Sequence, residues 1–216
     1  MSEPTRQLAA IVIADAVGYS NLIQADEAGT RARFNELAES IFEPLLAQHR
    51  GRLIKTMGDA FLITFTSAVA AVNFAADIQR ILPVHQSQWA KDHRIRFRIG
   101  INLGEVIVEG DDVRGDGVNV ATGLEAMAEP GGVLISGSIF DQVHRRMDQV
   151  AFEDTGLQDV PKYPDPVPVY QVLLAPTIVD QNVPSTPKSA RWQVVFGLGV
   201  LVIIAGAALW TLQPWN

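Results

Sequence analysis

The segment VVFGLGVLVIIAGAALWTL, Val194 to Leu212, constrains this chain most, because Thr211 is its only polar side chain over 19 residues. As a helix rising 1.5 Å per residue it reaches about 28 Å, close to the hydrocarbon thickness of a bilayer. A helix that is apolar on every side has no solvent face to offer a small domain, so the segment predicts one C-terminal transmembrane helix. Trp192 and Trp210 bracket it as interfacial aromatics, and Lys188 and Arg191 on its N-terminal side place that side in the cytoplasm. The stretch before it, PTIVDQNVPSTPKSA, is rich in Pro, Ser and Thr without apolar periodicity and reads as a solvated linker. The expected organisation is therefore a globular domain over 1–175, a linker over 176–190, a membrane helix over 191–213 and a short tail over 214–216.

What remains is long enough for one domain with a proper core. The start, MSEPTRQLAAIVIADAVGYS, lacks the charged start, long apolar stretch and small-residue cleavage site of a secretory leader. The expected location is thus the inner cell membrane, crossed once, with the globular part in the cytoplasm. With 24 acidic against 17 basic residues and no basic block carrying interleaved aromatics, no nucleic-acid partner is expected. The absence of cysteine removes disulfides, thiolate metal sites and cysteine nucleophiles. His49, His85, His93 and His144 are scattered without metal-ligand spacing, and no GxSxG or P-loop pattern occurs.

Within the globular part, QLAAIVIA (Gln7 to Ala14) is a short apolar run with β-branched residues, which predicts a buried strand ending at Asp15 and Gly18. Helical spacing follows over Asn21 to Gln48, with breaks expected near Gly29 and Pro44. Gly51 to Lys55 and Ala60 to Phe65 predict a hairpin around Met57-Gly58-Asp59, with Asp59 at its tip. A helix is expected from the N-cap Ser67 to a stop at Pro83, then strands over Ile95 to Asn102 and Glu105 to Glu109. A helix over Val118 to Ala128 and a strand over Val133 to Ser136 complete the pattern. The order β-α-β-β-α-β with additions predicts an α+β fold, a ferredoxin-like two-layer sandwich with helices on one face of a largely antiparallel sheet.

Two carboxylates, Asp15 and Asp59, then fall at adjacent ends of that sheet. Such a pair can hold Mg²⁺, a hard cation that takes a few carboxylates and completes its shell with phosphate oxygens and water. On these residues alone, solvated turn aspartates are the favoured account.

The surrounding words settle the family resemblance. ADAVGYS and KTMGDAFLITF resemble the two metal-binding motifs of class III adenylate and guanylate cyclases, and RFRIGINLGEVIVEG, DDVRGDGVNVA and EPGGVLISG follow in that family's order. The resemblance covers roughly Gln7 to Val172. It implies that Asp15 and Asp59 hold two Mg²⁺ or Mn²⁺ ions, that Lys55 and Asp112 read adenine, that Arg98 grips the terminal phosphates and that Asn119 orients the ribose. The implied substrate is ATP, and the implied products are 3′,5′-cyclic AMP and pyrophosphate. Because the family joins metal aspartates of one subunit to purine residues of the other, it also implies a head-to-tail homodimer.

Two departures stand against full activity. Four residues after Asn119 the family carries an arginine that stabilises the transition state, and here Gly123 stands instead. Losing one such group costs about two to three powers of ten in rate. Where the family has a leucine-lysine pair reaching the phosphates, Val160 is followed by Pro161, and Lys162 comes one place late. The resemblance therefore implies a cyclase of reduced activity, or alternatively a degenerate domain that binds nucleotide or dimerises at the membrane.

Overall fold

The computed structural model describes residues 5–109, 112–148 and 150–174. The expected linker, membrane helix and tail lie outside the described residues. Among the described residues no helix is long and apolar enough to cross a membrane.

The chain runs β1 (Thr5–Ala16), α1 (Tyr19–Ala25), α2 (Glu27–Leu37), a π-helical turn, α3 (Glu43–His49), β2 (Arg52–Met57), β3 (Ala60–Phe65) and α4 (Ala68–His85). It continues with β4 (Phe97–Glu109), β5 (Asp112–Arg114), α5 (Asp116–Met127), β6 (Val133–Ser136), α6 (Gly137–Val143), β7 (Ala151–Gln158) and β8 (Val167–Leu173). The sheet order is β2-β3-β1-β4-β6-β8-β7, with β5 paired to β4. Its first four strands have the ferredoxin-like arrangement. Among the described strands only β4 and β6 pair in parallel, so the largely antiparallel sheet is as expected.

β1 is central because it can be buried on both sides: Ala9 to Ala14 are all at most 5% exposed. Its Val12 and Ala14 join Phe61, Ile63, Phe97 and Ile99 beneath α2, α3, α4 and α6. Its Ile11 and Ile13 face the other way, with Leu62, Val106, Val113 and Ala121 of α5. That second cluster corrects the expected two layers. A strand buried on both faces needs cover on both, and α5 supplies it over β1 and β4.

Two boundaries also differ. Pro83 was expected to stop α4, yet the helix continues to His85. Gln86 just beyond it is 2% exposed and its side-chain amide both donates to the Ile95 carbonyl at 2.9 Å and accepts from the Ile95 N–H at 2.6 Å. That anchored amide holds the helix end in place against the one backbone bond a proline removes. The two strands expected over 95–109 are one strand of 13 residues. Leu103 and Gly104 read as a break, but they pair in register with Ala10 and Ala9 of β1, whose unbroken ladder carries β4 through. The β2–β3 hairpin turns at Gly58 (φ +72°) and Asp59, as expected.

Candidate active site

Strand register brings the first group of site residues together. Asp15 pairs with Ala60 of β3 on one side and with Arg98 of β4 on the other. The Ala16 N–H donates to the Asp59 carbonyl at 3.1 Å, tying the end of β1 to the hairpin tip. Arg98 Nη2 lies 2.9 Å from Asp15 Oδ2 and 3.0 Å from Glu125 Oε1. Arg94 and Arg96 precede β4, and Arg94 donates to the carbonyls of Trp89 and Ser87.

Glu125 was missed in the sequence. It arrives because α5 lies directly on β4 at Gly100, where a Cβ would run into the Ala121 carbonyl and the Glu125 amide. Glu125 is 6% exposed, and its Oε1, although close to Arg98, has no hydrogen-bond partner among the described residues; nor has Arg98 Nε. Burial first, then the nearby Asp15 charge, pushes the Glu125 carboxyl up to about 7. Burial likewise raises Asp59 above the ordinary carboxylate range, with Asp15 adding to it. Asp15 and Glu125 thus share one guanidinium, with Asp59 in electrostatic reach of it. The sequence offered no signal for this beyond an acidic residue on the buried side of a helix.

This end of the sheet suits a hard divalent cation: its donors are carboxylate oxygens, and burial, with the Asp15 charge adding to it, holds two of the acids above their ordinary range. Among the described residues no three ligating side chains already form a metal cluster. Asp15 and Asp59 are a two-carboxylate set, the kind Mg²⁺ uses when phosphates and water complete its shell.

The second group lies on the same face of the sheet. Lys55 stands opposite Leu62, which stands opposite Ile13, so Lys55 shares the face that carries Asp15. The long β4 folds β5 over this face, packing Val106 and Val113 against Ile13 and Leu62. Lys55 Nζ reaches Asp112 Oδ1 at 2.6 Å, and Arg114 Nε reaches Asp112 Oδ2 at 3.2 Å. The Lys55 bond above all, with Arg114 and the Val113 amide, holds the Asp112 carboxyl down at about 2. The pair remains partly open to solvent, with the side chains 42% and 30% exposed.

Asn119 is exposed near the start of α5. Gly123 is buried on the same helix, and a Cβ there would overlap Val160 Cγ1 and stand 2.7 Å from the Pro161 carbonyl oxygen. The two departures noted in the sequence are therefore in contact. Lys162 follows Pro161, is exposed, and its charge is among those acting on Glu125.

Comparison with known proteins places this fold among others. Residues 1–172 match the family model described as the adenylate and guanylate cyclase catalytic domain. A putative adenylate cyclase of Rhizobium meliloti is 44% identical over 165 residues, covering 76% of this chain and 28% of that protein. The chain thus spans less than a third of the length of that relative. A crystal structure of an adenylate/guanylate cyclase/hydrolase from Silicibacter pomeroyi matches with a TM-score of 0.72 and 36% identity, covering 78% of this chain and 98% of that one. An adenylyl cyclase from P. aeruginosa shares the fold, with a TM-score of 0.67, 23% identity, and coverage of 82% of this chain and 98% of that one.

Proposed function

This chain belongs to the adenylate and guanylate cyclase catalytic domain family, and on that premise we propose that it is an adenylate cyclase forming 3′,5′-cyclic AMP and pyrophosphate from ATP. The observation that carries the reading is the under-neutralised acid cluster at the end of β1, Asp15 and Asp59 beside Arg98 and Glu125. Asp15 and Asp59 would hold two Mg²⁺ or Mn²⁺ ions. Once bound, the ions would ease loss of the ribose 3′-hydroxyl proton and offset charge building on the triphosphate.

The remaining work falls to the chain. The 3′-oxygen forms a bond to the α-phosphorus, the bond to the β-phosphate oxygen breaks, and pyrophosphate leaves, so positioning and charge neutralisation suffice without a covalent intermediate. Arg98 offers a fixed fork of donors to the terminal phosphates and must loosen from Asp15 to do so. Asn119 would orient the ribose through its neutral amide. Lys55 would donate to adenine N1, and Asp112, kept ionised by that same lysine, would accept from the 6-amino group. Guanine presents the opposite donor and acceptor at those two atoms.

A head-to-tail homodimer completes two such sites. β2 is exposed along most of its length, and Met57, paired with Ala60 opposite Asp15, presents an apolar side chain on the face of the purine pair, which supports a second copy docking there. We also retain Val194 to Leu212 as a single membrane anchor with the domain on the cytoplasmic side. Resistance of the full chain to alkaline carbonate extraction tests that, and release into the supernatant refutes it.

A second reading is a domain that binds nucleotide without turnover. It is favoured by Gly123, whose space is taken by Val160 and Pro161 where a transition-state arginine would stand. Purified full-length chain with ATP and Mn²⁺ separates the two: cyclic AMP above an Asp59→Ala control supports the cyclase, and metal-dependent ATP binding with no product supports the second reading.

A further inference from the structure

A cavity of about 620 Å³ lies between the start of α1, the end of α4, the 86–96 connection and the turn at Pro130 and Gly131. Asp15, Asp59, Arg98 and Glu125 take no part in its lining. Its size is that of a small-molecule site. Its walls are tied together by backbone: the Val17 N–H donates to the Arg96 carbonyl at 2.8 Å, and the Gly131 N–H to the Phe97 carbonyl at 2.9 Å.

The floor is apolar. Leu82 and Ile95, 3% and 0% exposed, belong to the main core, and Leu22, Pro83 and Pro130 extend the surface they form. Two buried amides reach the same wall but are committed to holding backbone. Gln79 donates to the Phe97 and Gly132 carbonyls, and Gln86 both donates to and accepts from Ile95. Polar recognition is therefore left to the rim, and the rim is cationic. Lys91, Arg94 and Arg96 line the cavity against one acid, Asp92, in a chain whose formal net charge is −7. The Trp89 and Ser87 carbonyls accept from Arg94 at 3.1 and 3.0 Å, which fixes the guanidinium without cancelling its charge. Lys91 and Arg96 are exposed, and among the described residues neither has an ion pair. By contrast, the exposed side chains of Arg6, Arg31 and Arg114 each face a carboxylate. Such a rim repels a cation, and a bare inorganic anion would leave the apolar floor in water.

We propose that this cavity is a second ligand site, taking a small amphipathic carboxylate whose apolar body covers Leu22, Leu82 and Ile95 and whose anionic head meets Lys91, Arg94 and Arg96. Floor and rim are then used together.

Isothermal titration of the full-length chain with naphthoate, its neutral alcohol naphthalenemethanol, and acetate tests this. Naphthoate should bind about tenfold more tightly than either control, because the alcohol lacks the charge and acetate lacks the ring. Added salt should weaken naphthoate and leave the alcohol unmoved. Lys91→Gln and Arg96→Gln together change only exposed side chains, so the melting temperature should hold. Naphthoate affinity in that variant should fall about tenfold while naphthalenemethanol binds as before. Lys91→Arg with Arg96→Lys keeps both charges and should keep the affinity. Naphthoate binding no more tightly than naphthalenemethanol overturns the inference, as does affinity in the glutamine variant within about twofold of the parent. Acetate binding as tightly as naphthoate overturns it too, leaving a surface cation cluster only. These titrations contain neither nucleotide nor metal, so their outcome is independent of the cyclase reading.

Discussion

The two charged groups on this sheet face solve opposite problems. At the end of β1, Asp15 and Glu125 hold Arg98 with Asp59 nearby, half or fully buried, and the carboxyls of Asp59 and Glu125 are pushed up. Under β5, Lys55 and Asp112 form a partly solvated pair in which the acid is pushed down. The first group is short of positive charge and the second is already neutral. A cluster that lacks cations recruits them, whereas a neutral pair can recognise a neutral ring by exchanging hydrogen bonds with it. The same sheet face thus carries one place suited to metal and phosphate and another suited to a base.

The contrast can be broken experimentally. Asp15→Ala or Asp59→Ala should lower cyclic AMP formation by about two to three powers of ten, measured at saturating ATP and Mn²⁺; a loss below tenfold would remove the acidic end from the chemistry. Glu125→Gln should act next, on stability. In the metal-free protein the unfolded chain releases the Glu125 proton near pH 4.5 and the folded chain only near 7. Stability therefore falls as pH rises across that window, by up to about 3 kcal/mol, and stays low above it. Glutamine mimics the protonated acid and should flatten that slope in denaturation curves at pH 5 and pH 8; an unchanged slope would show that Glu125 is not the group responsible.

Lys55→Ala should weaken ATP binding by about tenfold and narrow the preference for ATP over GTP, while leaving the melting temperature essentially unmoved. Equal loss for both nucleotides would break the assignment of this pair to the base. The smallest effect belongs to Asp112. Its depressed pKa contributes stability that is present above about pH 4 and is lost only as pH falls toward 2. Asp112→Asn should therefore lower the neutral-pH melting temperature slightly and converge on the parent as pH falls toward 2.

Much of the scaffold could be read from local pattern. The apolar run ending in Asp15, the turn at Gly58 and the N-cap at Ser67 are short-range signals, and the structure has them where expected. β4 was misread because Gly104 is a break locally, while its pairing with β1 is not local. The second helical layer was misread for the same reason: Ile11 and Ile13 look like any strand residues until α5 is seen above them. In the site, Asp15, Asp59, Arg98, Lys55 and Asp112 carried motif context. Glu125 did not, since its meaning depends on Gly100 letting a helix touch a strand. The meeting of Gly123 with Pro161, 38 positions apart in the chain, was equally invisible.

That meeting bears on how this sequence can change. Because a side chain at position 123 and the Val160–Pro161 turn compete for one volume, neither can be altered toward an arginine-bearing form without first harming what the other supports. Single steps lead downhill in both directions, so a route between the two forms must cross both positions together. Chains carrying arginine at the position of Gly123 should accordingly lack a valine-proline turn at 160–161, and the two positions should vary as one character.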